Sequence, residues 1–233
     1  MKISIMQPTY LPWLGYFELM NRADRFVLLD NVPFSKQSHQ QRNKIKTHQG
    51  TLMLTVPVMH KLGQLITDAE IDNRTSWIQK HWRSIQFAYQ KAPFWSQFSP
   101  ALAKIYGKTW TRLGDLNIAL IRCLKEILGI STDVLLASEL DAQTDEKIER
   151  LLNICKKLNG TLYYSPNGAR EYLMKGIDFF SENGIQIEFQ NFQHPVYPQL
   201  HGEFVPKLSV LDIIFNAGPR SLEIIHEGSH FVA

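Results

Sequence analysis

The sequence predicts an α/β protein with a mainly parallel sheet, flanking helices, an N-terminal hairpin and a central helical insertion. Two features carry that prediction. Short apolar runs alternate with amphipathic helical segments at both ends of the chain, and the middle third is helical throughout. The 233 residues, 44% of them apolar, can bury a real core, and residues 1–233 read as a single α/β domain with 75–130 as its helical insertion.

Residues 2 to 30 read as strand (KISIM), loop (QPTYLPWL), helix (GYFELMNR) and strand (DRFVLLD), a parallel crossover unit. RNKIKTHQGTLMLTVPV forms two extended runs around His48, Gln49 and Gly50, a hairpin signal, with Pro57 at an edge or strand end. Thr75 or Ser76 can cap a helix running to Tyr89. A second helix starts at about Pro100, and a third runs from Leu113 to Leu128, stopped by Gly129. The last third alternates again: a DVLLA strand, a Thr144 to Leu158 helix, a TLYYS strand, an Asn167-Gly168 turn, two short helices and a QIEFQ strand. Ser209 to Asp212 then opens a helix that ends near Gly218.

Charge and cysteine content narrow the function classes. Lys and Arg number 25 against 22 Asp and Glu, a net +3 that gives no broad footprint for nucleic acid or anionic membrane. Neither specific DNA binding nor membrane insertion is expected. The two cysteines, Cys123 and Cys155, lie far apart in apolar helical contexts, as buried free thiols do, so a reduced, cytoplasmic protein is expected. MKISIM is interrupted by Gln7 and Pro8 before it could serve as a signal-peptide core. No CxxC, HExxH, Walker-type or GxGxxG pattern is present, so neither a metal nor a resident cofactor is expected to be required.

The densest motif is QPTYLPWLGYF, residues 7 to 17, in which Pro8 and Pro12 fix φ and stiffen the loop. At the carboxyl end of a parallel strand such a loop lies where ligands of open α/β sheets bind. Gln7, Tyr10, Gly15 and Tyr16 are its candidate substrate-binding residues, Gly15 because it lets a ligand approach backbone N–H groups. An aromatic plug packing helix onto sheet is the competing reading.

In RNKIK, strand alternation puts Arg42, Lys44 and Lys46 on one face, where an anion such as a diphosphate would neutralise them. A lysine-protected edge strand explains them equally. Lys36 precedes this strand, and Asp30 ends a strand expected to border the first. Asp30 and His81 are the candidate general bases, although His81, on an aromatic helix face, also fits a structural role. Asn167, in a strand-to-helix turn, and Gln199, in a polar and aromatic loop, complete the binding candidates. Ser209 and Asp212 read as a capping pair.

QPTYLPWLGYF, ADRFVLLDNVPFSK, RNKIK, LTVPV, YYSPNGAREYL, HPVYPQL and FVPKLSVLDIIFNAG together resemble the WbqC-like family across nearly the whole chain. Position 39 is histidine where that family's pattern usually has an aromatic residue, so His39 is given no catalytic role. The resemblance implies a cytoplasmic bacterial protein of O-antigen or other surface-polysaccharide biosynthesis. It favours transfer of an acyl or aminoacyl group to a nucleotide-linked amino sugar, with the donor, a thioester, carrier protein or aminoacyl-tRNA, left open. A non-catalytic sugar- or carrier-binding module is the alternative. The opening unit is also distantly similar to nucleotidylyltransferases, but Trp13 and Tyr16 stand where their paired histidines would be. Loss of such donors argues against nucleotidyl transfer, and a divergent nucleotidylyltransferase is the third reading.

Overall fold

The structure is a computed structural model and describes residues 1–59 and 61–229. The chain begins with β1 (Lys2–Met6), α1 (Leu14–Arg22), β2 (Arg25–Leu28), β3 (Arg42–Thr47), β4 (Gly50–Thr55), β5 (Val58–Met59) and β6 (Glu70–Ile71). Three helices follow, α2 (Trp77–Tyr89), α3 (Trp95–Tyr106) and α4 (Leu113–Ile127). Then come β7 (Asp133–Leu136), α5 (Lys147–Lys157), β8 (Leu162–Ser165), α6 (Arg170–Leu173), α7 (Ile177–Glu182), β9 (Gln186–Phe189), α8 (Leu211–Ala217) and α9 (Ser221–Glu227).

The main sheet is parallel, in the spatial order β7-β2-β1-β8-β9. The chain therefore builds outward from β1 in one direction, returns, and builds outward in the other. The order reverses between β1 and β8, and at such a switch point the loops at the carboxyl ends splay apart and leave a crevice. Alternation along the strands divides the core into two layers. Phe26 and Leu28 face the layer that holds α1, α4 and α8, while Ile3, Ile5, Val27 and Tyr163 face the layer that holds α5 and Phe180 of α7.

The expected hairpin is β3 and β4, paired antiparallel from Arg42 opposite Thr55 to Thr47 opposite Gly50. Pro57 lies just past its end, and Gly50 adopts φ +106°, a conformation that suits glycine. Helices α2 to α4 join β6 to β7 and share one buried core with α1, β3 and α8. Helix α3 begins at Trp95, upstream of the expected start at Pro100. Trp95 stacks on Trp82 and packs on Phe215, and these contacts hold the first turn while Pro100 removes a single N–H within the helix. Helix α5 starts at Lys147 rather than Thr144, whose hydroxyl instead donates to Glu149. Gly129 ends α4 as expected, at φ +72°. Among the described residues, no helix is long and apolar enough to cross a membrane.

Candidate active site at the sheet reversal

A cavity of about 540 Å³ opens at the carboxyl ends of β1, β2 and β8. Gln7 and Thr9 line it from the β1 exit, Leu29, Val32 and Pro33 from the β2 exit, and Tyr163 and Pro166 from β8. Its remaining wall is the start of α5 with Tyr172, where Asp145, Lys147, Arg150 and Leu151 belong to the lining. The Lys147 ammonium lies 3.5 Å from the Tyr172 ring centroid. Arg150 Nε donates to the Thr144 carbonyl at 2.9 Å, fixing the guanidinium beside the first turn. Two cations at the positive end of a helix dipole, with two tyrosine rings, suit an anion that carries a ring.

A second cavity, about 290 Å³, lies on the other side of the β1–α1 loop. Met6 and Thr9 belong to both linings, and Pro12, Trp13, Tyr16, His39, Asn43 and Lys207 complete this one.

The loop between the cavities is held from three sides. Asn117 of α4 donates to the Pro8 and Gln40 carbonyls at 3.2 and 2.7 Å. Asn43 of β3 donates to the Leu11 carbonyl, and Tyr10 N–H to the His39 carbonyl at 3.0 Å. Leu11 is buried with φ +47°, a left-handed conformation that a leucine keeps only where surroundings impose it. Gln40 Nε2 donates to Gln7 Oε1 at 2.8 Å, so a chain of amides runs from α4 to the rim of the larger cavity.

The candidate residues named from sequence divide sharply. Gln7 lines the larger cavity and Tyr16 the smaller. Tyr10 is fully buried, its hydroxyl between His81 Nδ1 at 2.8 Å and the Tyr106 hydroxyl at 2.7 Å. His81 is buried, and desolvation pushes its pKa down to about 4, so it stays neutral and lines neither cavity. Asp30 is also buried, its carboxylate accepting from Ser138 N–H at 2.9 Å and Ser138 Oγ at 2.7 Å, tying the ends of β2 and β7 together.

A side chain at Gly15 would meet the Trp13 indole at 2.4 Å, so that ring, rather than a ligand, occupies the space beside the glycine. Arg42 and Lys44 sit on the outer face of β3 and line neither cavity, and Lys36 is exposed in the preceding loop. Lys46 is buried, and its ammonium donates to Gln199 Oε1 and the Gly202 and Glu203 carbonyls at 3.2, 3.1 and 2.6 Å. Gln199 thus closes a loop over β3, away from both cavities. Asn167 is exposed next to Pro166, its Oδ1 accepting from Arg170. The three cations of RNKIK and the β1–α1 loop therefore do not converge; Asn43 and Ile45, on the opposite face of the strand, are the residues turned inward.

Other polar residues are structural. Ser209 Oγ accepts the Leu211 N–H, as a capping residue does, but the Asp212 carboxylate binds the Tyr89 and Tyr197 hydroxyls at 3.1 and 3.0 Å. Burial pushes Asp212 up to about 6. Glu18, absent from the sequence candidates, is buried and accepts from the Tyr164 and Ser229 hydroxyls at 3.0 and 2.7 Å and from Gln190. The cysteines are free, and burial raises Cys123 to about 11 and Cys155 to about 12, so both stay protonated at neutral pH. Among the described residues no group of three or more His, Cys, Asp or Glu is arranged to hold a metal ion.

Thr9, Asp145, Lys147, Arg150 and Tyr172 are the lining residues that sequence reasoning missed. Two cations opening the helix after the third sheet strand were a readable signal, but their relevance depends on the strand order.

The sequence matches the WbqC-like protein family over residues 7–224. The chain belongs to that family. The family match covers the β1–α1 loop, the start of α5 and both cavity linings apart from Ile5 and Met6. The chain is also 37% identical over 225 residues to Rv1507c, an uncharacterized protein of Mycobacterium tuberculosis, spanning 94% of this chain and 95% of that protein. No solved structure matches this WbqC-like chain.

Proposed function

We propose that this WbqC-like protein is a transferase of surface-polysaccharide biosynthesis that binds a nucleotide-linked amino sugar in the larger cavity and carries an acyl or aminoacyl group to its amine. The observation that carries this reading is the cavity at the strand-order reversal, walled by Lys147 and Arg150 at the start of α5. In this reading the two cations hold the diphosphate, Arg150 with its Nη1 side, since Nε and Nη2 both donate to the Thr144 carbonyl. Tyr172 borders the nucleoside or sugar ring, while Tyr163, stacked on Phe180, forms the buried floor. Gln7, whose Oε1 is taken by Gln40, offers its NH₂ to sugar hydroxyls or to a developing oxyanion. Asp145 is the carboxylate in the lining and accepts the proton that the attacking amine releases.

The non-catalytic binding module remains the second reading, and one observation favours it: Asp30 and His81 both have their polar atoms engaged inside the protein. Calorimetry with a UDP-linked and a dTDP-linked amino sugar, on wild type and Arg150→Ala, tests the site. Binding by the wild type, weakened roughly 10- to 100-fold by the substitution, is expected for loss of a charge-assisted phosphate contact. Absence of binding at millimolar ligand, or equal binding by the variant, overturns the site. Where the sugar binds, mass spectrometry of incubations with acyl donors separates transfer from mere recognition, and pyrophosphate release from nucleoside triphosphates and sugar phosphates would reveal nucleotidyl transfer instead.

A further inference from the structure

The smaller cavity shares Met6 and Thr9 with the larger one, so ligands in the two would meet across the β1 exit. We infer that the smaller cavity is the donor subsite and that the group it takes is an uncharged acyl chain carried as a pantetheine-type thioester, rather than an aminoacyl group. This rests on the nucleotide-sugar reading of the larger cavity.

Three properties of the cavity lead to that choice. Its walls are apolar and aromatic, formed by Met6, Pro12, Trp13 and Tyr16, and its volume of about 290 Å³ gives room for a chain of a few carbons. Its charge has the wrong sign for an amino acid: among the described residues the lining contains the Lys207 ammonium and no carboxylate. An aminoacyl donor would bring an α-ammonium into an apolar space beside a like charge, with nothing to neutralise it. The walls are also fixed. Trp13 lies across Gly15 and meets Phe192 edge-on at 5.5 Å, and Asn43, also in the lining, is tied to the Leu11 carbonyl. A rigid apolar slot selects by size and excludes charge.

In the step this arrangement permits, the neutral amine nitrogen of the sugar attacks the thioester carbonyl carbon. The C–N bond forms, the C–S bond breaks, and the proton shed by nitrogen passes through the Asp145 carboxylate and ends on the departing thiolate. Thr9, on both walls, lies at the junction where its hydroxyl can donate to the carbonyl oxygen.

Calorimetry of the full chain with acetyl, butyryl and 2-aminobutyryl thioesters of N-acetylcysteamine tests the choice, because the last two differ by one ammonium. Butyryl should bind at least about tenfold tighter than 2-aminobutyryl, and about threefold tighter per methylene than acetyl. Lys207→Glu, an exchange at an exposed rim position, should erase most of the tenfold preference. Equal or tighter binding of 2-aminobutyryl, or a preference unmoved by Lys207→Glu, overturns the inference. Titrating the same samples with the UDP-linked amino sugar keeps the two proposals apart. Sugar binding without thioester binding overturns the donor subsite alone, whereas failure of the sugar to bind overturns the proposed function. Butyryl-coenzyme A and butyryl-carrier protein arms supply the two natural sources, and tighter binding of either than of the truncated thioester supports the subsite.

Discussion

If His81 is a buried structural group, acid should destabilise the protein through it, and Asp212 should act in the opposite sense. The folded His81 pKa is about 4 against 6.5 for an ordinary histidine, so between those values the unfolded chain takes up a proton that the folded one refuses. Its contribution is complete above 6.5 and is lost as the pH falls toward 4. Asp212 is held at about 6 against 3.8, so its contribution is complete below 3.8 and is lost as the pH rises through 6. At about 1.36 kcal/mol per pH unit, each effect is on the order of 3 kcal/mol. The two nearly cancel in the wild type, so each substitution exposes the other. Urea unfolding of wild type, His81→Gln and Asp212→Asn between about pH 4 and 7.5 reads this directly. From neutral to acid, His81→Gln should gain stability relative to wild type and Asp212→Asn should lose it, each by on the order of 3 kcal/mol. A His81→Gln curve parallel to wild type would mean that His81 titrates normally, refuting its burial-imposed neutrality and restoring it as a candidate base.

Two further substitutions probe the loop between the cavities. Gly15→Ala places a methyl against the Trp13 indole and should lower stability by about 1–3 kcal/mol, with a changed near-UV circular dichroism signal as the ring moves; an unaltered spectrum and melting temperature would show that the ring yields freely. Asn117→Ala leaves the buried Pro8 and Gln40 carbonyls without their donor, and should cost about 1–3 kcal/mol in chemical unfolding while weakening nucleotide-sugar binding through Gln40 and Gln7; unchanged values in both assays would detach α4 from the site.

The periodic elements were legible because local chemistry specifies them. The β1–α1–β2 crossover, the hairpin and the αL stop at Gly129 each follow from residues within one segment. What escaped was set by distant partners. Alternation correctly puts Arg42, Lys44 and Lys46 on one face of β3, but nothing local says that a loop some 150 residues later will cover Lys46 with Gln199 and two carbonyls. Asp30 stands at a strand end as expected, yet its role depends on Ser138, 108 residues away in sequence. Lys147 and Arg150 were readable as cations opening a helix. They line the larger cavity because β8, rather than β7, lies beside β1.

The same long-range partners explain why the cavities are lined by Gln7, Thr9 and the start of α5 instead of by the sequence's more conspicuous groups. Tyr10, His81 and Tyr106 bond one another, and the Asn43 and Asn117 amide nitrogens donate to the loop carbonyls of Leu11 and Pro8, so these buried groups act as supports. Their combined effect is to hold residues 8 to 11 in a path that ends at the left-handed Leu11 and places Thr9 in the lining of both cavities. A loop held this firmly cannot adapt to its ligands, so discrimination must come from the fixed shapes and charges on either side. On one side stand two cations and tyrosine rings, and on the other an apolar slot with a single ammonium at its rim. That asymmetry is why we propose an anionic, hydroxyl-rich acceptor on one side and an uncharged acyl donor on the other.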